Sequence, residues 1–393
     1  MNLFFHNTKA NKYSINSLSF VVEDLKDLKV RFFYEISEIE NIINKKETDI
    51  FVFSFMTPFY EKEKKLSIYL KTKYPKSLTI AGGPHIYDKN SSEISNHFDY
   101  VFIGEGEETF KEFIKNLTNG LLPKNKVIKN FKNIDINSYQ SVSDKFKRFG
   151  SIEITRGCPY SCFYCQNPFN MGKIQRHKKI ENIIKEIEIL LKNDFTDIRF
   201  ITPDLASYGS VNGKDLNLKE FESLVNETNK AVKGKGRVFL GSFPSEIRPE
   251  HITEDIVKIL KGKTSAKRII IGGQSGSDEI LKKINRAHTS SDIIKAVSIL
   301  RKNDLEADVD FIFGFPFETE KDLNESKKII EILTQKYSAR IHLHYFIPLP
   351  NTPFENLKPK PIDLKTRRFL SSLTSKNIAF GQWENQIRLG HKS

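Results

Sequence analysis

The sequence predicts an α/β protein with a doubly wound parallel sheet in its N-terminal part and a partial (β/α)6 barrel after it. Three observations favour this class. Short apolar strands alternate with amphipathic helices, which is typical of parallel strands joined by right-handed crossovers. The length of 393 residues corresponds to two or three domains. Glycine-containing loops directly follow several strands, as they do at the ligand-binding edge of such sheets.

The first predicted domain spans residues 1–123. Its buried strands are expected at three short apolar runs, 49–55, 78–81 and 100–103. Helices are expected where apolar residues recur three and four positions apart, at 36–43 and 107–117. The loops that follow two of the strands, 82–85 and 104–108, should line a crevice at the carboxyl edge of the sheet. The polar segment 124–150 is expected to be a linker.

The second predicted domain, 151–357, holds six strand–helix units. Its strands are expected at 151–155, 197–202, 238–242, 268–272, 309–313 and 341–346. An amphipathic helix over 178–193 follows the first of them. Six such units make a partial (β/α)6 barrel, whose active-site residues belong at the carboxyl ends of the strands. A basic extension, 358–393, is expected to pack on the barrel through Trp383, the only tryptophan.

The net charge of +13 permits an acidic partner such as nucleic acid. The basic residues are nevertheless spread along the chain without a Lys/Arg block, so nucleic acid is not the expected partner. No apolar run approaches the ~18–20 residues of a membrane helix, and the N-terminus lacks the features of a secretory signal. The sequence therefore predicts a cytoplasmic protein with no membrane span.

All three cysteines of the chain fall within eight residues, at Cys158, Cys162 and Cys165. An odd, crowded set favours metal or redox chemistry over a disulfide framework. Cubane iron–sulfur clusters ordinarily take four thiolates. No fourth cysteine exists here, so one iron would keep an open position, as catalytic metal sites do. The alternative is a Cys3His zinc site completed by His177, although structural zinc usually has two close ligand pairs.

The C-x3-C-x2-C spacing, with Tyr164 before the last cysteine, resembles the radical S-adenosylmethionine (SAM) superfamily. The resemblance implies that the three cysteines hold a [4Fe–4S] cluster and that SAM chelates the fourth iron. An electron from the cluster then cleaves SAM to a 5′-deoxyadenosyl radical, so a reductant or electron-donor protein is an implied partner. The sequence identifies neither the substrate nor a catalytic residue.

Polar residues at later strand ends resemble the SAM-binding positions of this family. The resemblance implies contacts to the amino group after strand two, to the ribose after strand four and on strand five, and to the carboxylate from an arginine. The candidate SAM-binding residues are Tyr164, Thr202, Asp204, Ser242, Gln274, Arg286 and Asp310. Each also has a structural alternative: Arg286 could cap a helix, Gln274 could belong to a helix N-terminus, and Asp310 could be an ion-pair partner.

His342 and His344 lie two residues apart on the sixth strand, so they share one face. Facing inward, they would contact a substrate, whereas facing outward they would pack against helices. The sequence leaves both orientations open.

A doubly wound domain before such a barrel resembles the Rossmann-like, cobalamin (B12)-binding-type domain of class B radical SAM proteins. The candidate cobalamin-binding residues are Gly82, Gly83, Gly104 and Glu105. The D-x-H-x-x-G signature that supplies a histidine to cobalt is missing, so His85 is expected to be an ordinary loop residue. A flavodoxin-like domain without a ligand would show the same strand and glycine pattern.

Together these features predict a radical SAM enzyme with a [4Fe–4S] cluster, SAM and cobalamin, which transfers a methyl group to an unactivated carbon. One alternative is cobalamin-independent hydrogen abstraction that leads to rearrangement. Another is a non-catalytic, metal-stabilised nucleic-acid-binding protein. An auxiliary cluster of the SPASM or methylthiotransferase type is excluded, because either needs further thiols.

Overall fold

The computed structural model describes residues 1–26, 28–43, 48–130 and 132–390. The chain divides into two compact units, one formed by residues 1–150 and one that begins at Ser151. Both are α/β units with parallel sheets, so the predicted fold class is confirmed. Across the described ranges, no helix has the length and apolar character needed to cross a membrane.

The first unit contains one six-stranded parallel sheet in the order β2–β1–β3–β4–β5–β6. Its strands are β1 (Asn2–His6), β2 (Lys29–Phe33), β3 (Ile50–Ser54), β4 (Leu78–Gly82), β5 (Tyr100–Gly104) and β6 (Val127–Asn130). Its α-helices are α1 (Lys12–Val21), α2 (Tyr60–Lys73), α3 (Asp88–Ile94) and α4 (Glu107–Thr118). The chain winds outward from β1 in both directions, so the topological switch point lies between β1 and β3.

Apolar side chains fill both faces of this sheet. Phe4 and Phe51 stack with ring centroids 5.0 Å apart in the core of one face. Their neighbours Phe5 and Val52 belong to the core of the other face. Parallel strands that are covered on both sides need such uninterrupted apolar runs, which explains why the strands show no polar alternation.

Three features of the first unit differ from the sequence-based expectation. In place of a helix over 36–43 the chain forms a 3-10 turn, Ile36–Glu38, yet Ile39 and Ile43 still pack into the core. The segment 124–150 supplies β6 to the sheet and belongs to the first unit, so it is more than a linker. The short strands β1 and β2 were not predicted, and with them the switch point was missed.

Close strand packing explains why a glycine ends β5. Gly104 has a φ of +86°, and a Cβ atom there would lie 2.0 Å from the carbonyl oxygen of Asn130 at the end of β6. Gly120, in the turn after α4, has a similar φ of +76° but no neighbouring atom within 4 Å of such a Cβ. Comparing substitutions at Gly104 and Gly120 therefore distinguishes the cost of backbone strain, which both share, from the cost of steric overlap, which only Gly104 has.

We predict that Gly104→Ala destabilises the first unit far more than Gly120→Ala. The shared positive φ should cost about 1 kcal/mol in both variants, and the overlap with Asn130 should add roughly 1–3 kcal/mol in Gly104→Ala alone. Denaturant unfolding followed by far-UV circular dichroism measures the difference. The fluorescence midpoint of Trp383, which reports the second unit, should stay unchanged. Equal effects of the two substitutions would contradict the close packing of β5 on β6.

The second unit consists of two parallel sheets, one short antiparallel pair of strands and the helices between the strands. Its strands are β7 (Ile152–Glu153), β8 (Thr155–Arg156), β9 (Arg176–His177), β10 (Asp197–Ile201), β11 (Arg237–Phe239), β12 (Arg268–Gln274), β13 (Glu306–Phe313), β14 (Arg340–Tyr345) and β15 (Ala379–Phe380). Its α-helices are α5 (Asn167–Asn170), α6 (Ile180–Lys192), α7 (Leu218–Val232), α8 (Glu254–Leu260), α9 (Asp278–Lys283), α10 (Ser290–Lys302), α11 (Glu320–Tyr337), α12 (Leu364–Ser375) and α13 (Trp383–Gly390).

Two parallel sheets make up the predicted partial barrel. One has the order β11–β10–β7 and the other β12–β13–β14–β15. The irregular segment after β11 joins them, because Ser245 bridges to Thr202 beyond β10 and Ile247 bridges to Ile271 in β12. The extension after residue 357 contributes β15, which pairs with β14, as well as α12 and α13. The domain boundaries proposed from the sequence otherwise stay predictions.

Candidate cluster and cofactor sites

The three cysteines lie on one loop that leaves β8 and returns in β9. These two short strands pair antiparallel and close the base of the loop. Within it, the N–H of Cys158 donates to the carbonyl of Gly172 at 3.0 Å, and the N–H of Cys165 donates to the carbonyl of Cys162 at 3.1 Å. Cys162 is buried and the other two are half-buried, and none forms a disulfide. The loop thus presents three thiols on a hydrogen-bonded backbone.

The turn after α9 supports this loop from the other side. The carbonyl of Ile284 accepts from the N–H of Phe163 at 3.1 Å. Asn285 Nδ2 donates to two carbonyl oxygens of the loop, at 3.0 and 2.9 Å. Arg286 places Nη1 3.7 Å from Cys162 Sγ. A change in this turn therefore acts directly on the thiols.

Arg286 is a buried cation, and one of its N–H donors is not used in a hydrogen bond with the described residues. Its Nη2 donates to the carbonyl of Gly272, while its Nε is buried and has no hydrogen-bond partner among the described residues. A buried guanidinium favours a carboxylate or another anion, which it can bind in bidentate fashion. Three thiols beside such a cation fit a [4Fe–4S] cluster whose fourth iron carries an anionic ligand.

Burial disfavours the thiolate form of two of the three cysteines. Burial raises the pKa of Cys165 to about 12 and that of Cys158 above its usual value. A coordinating metal deprotonates such thiols and so offsets the cost of burying a thiolate. A metal bound by Cys158 and Cys165 would therefore offset the unfavourable burial of two thiolates.

A mononuclear zinc site completed by His177 fits these residues less well. The ring nitrogens of His177 are engaged by Thr155 Oγ1 at 2.9 Å and by the carbonyl of Ser210 at 3.0 Å. In the described part of the chain, the cysteines also belong to no group of three ligand atoms that lie within 4.8 Å of one another, as ligands of one zinc ion must. The thiols are thus spread more widely than one ion requires.

Gly272 on β12 lets two further polar side chains converge beside Arg286. A Cβ atom at this position would lie 3.0 to 3.1 Å from Gln274 Nε2, Arg286 Nη2 and Glu246 Oε2. Gln274 is buried and has a φ of +71° at an irregularity in the pairing of β12 with β13. Loss of hydration, and next the charge of Asp310, raise the pKa of Glu246 to about 7.

Glu246 was not predicted from the sequence. It lies in the irregular segment that joins the two sheets, where no periodic pattern marks a strand. The one sequence feature that could have identified Glu246 as a site residue is its position just beyond β11, at the carboxyl edge of the barrel. Ser242 was the residue expected at that edge instead.

Thr202 and Asp204 form hydrogen bonds with neighbouring residues of the protein. Asp204 is 1% exposed; its carboxylate contacts His251 Nδ1 and accepts from the N–H of Arg248 at 3.2 Å. Thr202 Oγ1 donates to the carbonyl of Asp204 at 3.0 Å. Burial alone would lower the pKa of His251, but the carboxylate of Asp204 raises it. These contacts give both predicted residues a structural role at the end of β10.

Tyr164 and Ser242 also have partners in the protein. Tyr164 packs on an apolar cluster and meets the ring of Phe315 edge-on, with centroids 6.1 Å apart. Burial raises the pKa of its hydroxyl well above the usual value. Ser242 Oγ accepts from Arg199 Nη1 at 2.9 Å. Packing of Tyr164 thus holds the cysteine loop on the barrel.

Asp310, His342 and His344 form one cluster on β13 and β14. Asp310 Oδ1 lies 2.9 Å from His342 Nδ1, and His344 Nε2 lies 3.2 Å from that same nitrogen. Burial would raise the pKa of Asp310, but its hydrogen bonds with the two histidines hold it below the usual value. The alternate residues Val309, Phe311, Ile341 and Leu343 are fully buried, so the cluster occupies the opposite, polar face of the sheet.

In the first unit, a cavity of about 180 Å³ lies at the switch point between β1 and β3. It is lined by Thr8, Ala10, Asn11, Ser14, Ser54, Phe55, Met56, Phe59, Glu63 and Pro84. Of the residues in the two predicted glycine loops, 82–85 and 104–108, only Pro84 lines this cavity. The polar residues after β1 were missed because β1 itself was missed.

The predicted cobalamin-binding glycines have a packing role that was not expected from the sequence. A Cβ atom at Gly83 would lie 2.6 Å from the backbone nitrogen of Phe55, and a Cβ atom at Gly104 is blocked by the carbonyl of Asn130. Gly82 ends β4, and Glu105 is buried beside Asn130 Nδ2, which donates to its carbonyl at 2.8 Å. Packing therefore explains Gly83 and Gly104, whereas a Cβ atom at Gly82 would meet only ordinary contacts, the nearest at 3.9 Å.

His85 has the surroundings of a loop residue. Its Nδ1 lies 3.1 Å from Thr57 Oγ1, and its ring stacks on Tyr60 with centroids 4.6 Å apart. Burial lowers its pKa to about 4. The histidine is held within the first unit by these contacts.

Comparison with known proteins identifies both units. The family model of the radical SAM superfamily matches residues 152–330, which include the cysteine loop. Residues 152–330 therefore form a radical SAM domain. A B12 binding domain matches residues 18–114, in the first unit. The radical SAM domain implies a [4Fe–4S] cluster and SAM as cofactors, as the three thiols and Arg286 indicate.

Relatives and solved structures cover most of this chain. A tRNA-2-methylthio-N(6)-dimethylallyladenosine synthase from Clostridium botulinum (strain Okra / Type B1) is 30% identical over 309 residues, covering 76% of this chain and 65% of the relative. The chain thus spans just under two thirds of that protein. An uncharacterized protein from Methanocaldococcus jannaschii is 27% identical over 83% of this chain and 74% of its own length.

Two solved structures share the fold. The radical SAM methyltransferase TsrM from Kitasatospora setae, solved with cobalamin and a [4Fe–4S] cluster, has a TM-score of 0.68 at 13% identity and covers 90% of this chain and 76% of its own. The cobalamin-dependent radical SAM enzyme OxsB, solved with aqua-cobalamin, has a TM-score of 0.62 at 16% identity and covers 96% and 56%. At these identities the likeness establishes the fold alone.

We predict that Arg286→Ala weakens SAM binding by about 1.5–3 kcal/mol, or roughly 10- to 150-fold, because a charge-assisted hydrogen bond to the SAM carboxylate is lost. The SAM affinity of Arg286→Lys should lie between those of the wild type and Arg286→Ala, because lysine keeps the positive charge but lacks the planar guanidinium group. Equilibrium binding of SAM to anaerobically reconstituted protein measures both. Iron content and Trp383 fluorescence control for the cluster and the fold. An unchanged dissociation constant would show that Arg286 only ties Gly272 to the cysteine loop.

Proposed function

We propose that this chain is a cobalamin-dependent radical SAM methyltransferase that methylates an unactivated carbon. The observation that carries the proposal is the presence of two sites on one chain. One is the three-thiol loop beside the buried donor of Arg286. The other is the crevice at the switch point of a unit that matches a B12 binding domain.

When bound, the cluster supplies the electron that cleaves SAM, and cobalamin supplies a carrier for the methyl group. The thiolates of Cys158, Cys162 and Cys165 would hold three irons. Arg286 Nε would donate to the SAM carboxylate and so orient it beside Cys162. Gln274 Nε2, close to Arg286 over Gly272, is the donor that we propose for the SAM ribose.

In this proposal, the other predicted residues do not contact the cofactors and instead position the backbone and side chains around the site. Thr202 and Asp204 shape the turn after β10 through hydrogen bonds with each other and with His251. Phe163 and Tyr164 pack on the apolar cluster around Phe315 and exclude water from one side of the cysteine loop. Exclusion of water strengthens the electrostatic contacts of the loop.

Hydroxyl and amide groups line the crevice of the first unit and are held in place by hydrogen bonds. Asn11 Nδ2 donates to the carbonyls of His6 and Ser54 at 2.9 and 3.0 Å, which fixes the end of β1 against β3. Ser14 Oγ lies 2.9 Å from Ser54 Oγ at the mouth. Small-molecule sites usually enclose about 300–1,000 Å³, so this cavity of about 180 Å³ would take only part of a corrin cofactor.

The names of the Clostridium relatives describe a tRNA methylthio transfer, but we propose methyl transfer for this chain. A methylthiotransferase-type auxiliary cluster needs further cysteines, and this sequence holds three in all. The spread of basic residues also gives no specific support for a nucleic-acid substrate. We further propose that a reductant or electron-donor protein supplies the electron and that the enzyme acts in the cytoplasm.

We predict that the reconstituted protein binds one equivalent of hydroxocobalamin, base-off, and that Ser14→Phe blocks this uptake by filling the crevice. The visible spectrum after gel filtration measures uptake, and formation of 5′-deoxyadenosine or S-adenosylhomocysteine measures SAM use. The matched control is Ser17→Phe on the same helix, outside the residues that line the cavity. His85→Ala should leave the spectrum unchanged.

Each outcome distinguishes the proposed function from its alternatives. Wild-type protein that loses cobalamin on gel filtration but still forms 5′-deoxyadenosine would favour cobalamin-independent hydrogen abstraction. Protein that binds neither iron nor SAM would favour the non-catalytic alternative. Equal uptake by the Ser14→Phe and Ser17→Phe variants would place cobalamin elsewhere than in the crevice.

A further inference from the structure

The cluster of Asp310, His342 and His344 brings three metal-ligating atoms to one point. Asp310 Oδ1, His342 Nδ1 and His344 Nε2 are separated by 2.9, 3.2 and 3.7 Å. Within the described ranges, this is the only group of three such side chains whose ligand atoms lie within 4.8 Å of one another. His177 and His251, elsewhere in the barrel, contact hydrogen-bond partners without a comparable convergence.

These separations match the ligand spacing around one metal ion. With zinc–nitrogen and zinc–oxygen distances near 2.1 Å, two ligand atoms lie about 3.0 Å apart at a right angle and about 3.4 Å apart at the tetrahedral angle. The observed values span that range. Each ring nitrogen can carry a proton and donate it to Asp310 Oδ1, whereas a divalent ion would coordinate lone pairs of all three atoms at once.

The strands hold the three side chains in place. Asp310 on β13 is paired directly with His342 on β14, and His344 follows two residues later on the same face. The ring of His342 stacks on Phe380 of β15, with centroids 4.5 Å apart and an angle of 5° between the planes. Rigid strands and a packed ring give the preorganised ligand geometry that metal sites require.

The cluster is accessible on one side. His342 and His344 are 29% and 28% exposed, and Asp310 is 13% exposed. Three protein ligands with room for a further ligand are characteristic of catalytic zinc and of open iron(II) sites, in contrast to closed structural sites. A bound ion here would therefore have open positions for water or for an oxygen or nitrogen atom of a substrate.

We propose that Asp310, His342 and His344 bind one divalent transition-metal ion, Zn²⁺ in the isolated protein, at a site separate from the cysteine loop. The proposal does not depend on cobalamin binding or on methyl transfer. It also assigns Asp310 to the two histidines instead of to the ribose of SAM.

Metal content tests this proposal in the full chain. Protein isolated anaerobically should contain about one zinc ion per chain in addition to cluster iron, as measured by elemental analysis. His344→Ala and His342→Ala should each lose this zinc and keep the cluster iron. The matched control, His97→Ala in the first unit, should keep both.

A cobalt titration tests the same site without cluster iron. The full-length Cys158→Ala/Cys162→Ala/Cys165→Ala variant, stripped with a chelator, should bind one Co²⁺ and show visible d–d absorption from nitrogen and oxygen ligands. Adding His344→Ala to it should weaken Co²⁺ binding at least about 100-fold, more than the loss of a residue that only orients a ligand. Asp310→Asn provides a further variant if a histidine substitution impairs folding.

Three results would overturn the proposal. The first is the absence of both zinc in the isolated protein and saturable Co²⁺ binding in the stripped variant. The second is binding that persists unchanged in the His344→Ala and Asp310→Asn variants while circular dichroism shows them folded. Zinc that disappears with the cysteines but not with the histidines would assign it to the cysteine loop and would likewise refute the proposed site.

Discussion

The buried guanidinium of Arg286 is the contact on which the arrangement of the barrel site depends. It joins the cysteine loop to β12, because it bonds to the carbonyl of Gly272 and lies 3.7 Å from Cys162 Sγ. Removing such a cation from water costs several kcal/mol unless an anion pairs with it, and its Nε has no hydrogen-bond partner in the part of the chain that the structure describes. Three thiolates on a cluster and the carboxylate of SAM would supply the missing negative charge. In the proposed arrangement, the same contact would link the position of the cysteine loop to cofactor binding.

Long periodic elements and the cysteine spacing could be predicted from the sequence. The barrel strands that end near Gln274 and Phe313 were found because apolar runs alternate with amphipathic helices. The cysteine loop was found because three thiols within eight residues, with no fourth in the chain, are typical of a metal cluster. In both cases, residues close together in the sequence determine the feature: apolar periodicity determines the strands and helices, and the cysteine spacing determines the metal-binding loop. Binding roles for Arg286 and Gln274 stay predictions, although the structure does bring the two side chains together.

The remaining features depend on contacts between distant parts of the chain. Glu246 faces Arg286 only because a short irregular segment bridges two sheets. The orientation of His342 was open in the sequence, since two residues on one face can point either way until a neighbouring strand supplies Asp310. β1 is five residues long and has too little pattern to separate it from a loop, so the switch-point crevice was missed. Gly104 was assigned to a ligand although the carbonyl of Asn130 already requires a glycine there.

The most direct test of the central claim is the electron–nuclear double resonance spectrum of the reduced cluster, recorded with SAM whose carboxylate carries a magnetic oxygen isotope. If Cys158, Cys162 and Cys165 are the only protein ligands and SAM completes the fourth iron beside Arg286, the spectrum should show coupling between the cluster and the labelled oxygen. A cluster that forms with its full iron content but shows no coupling to bound, labelled SAM would contradict the account.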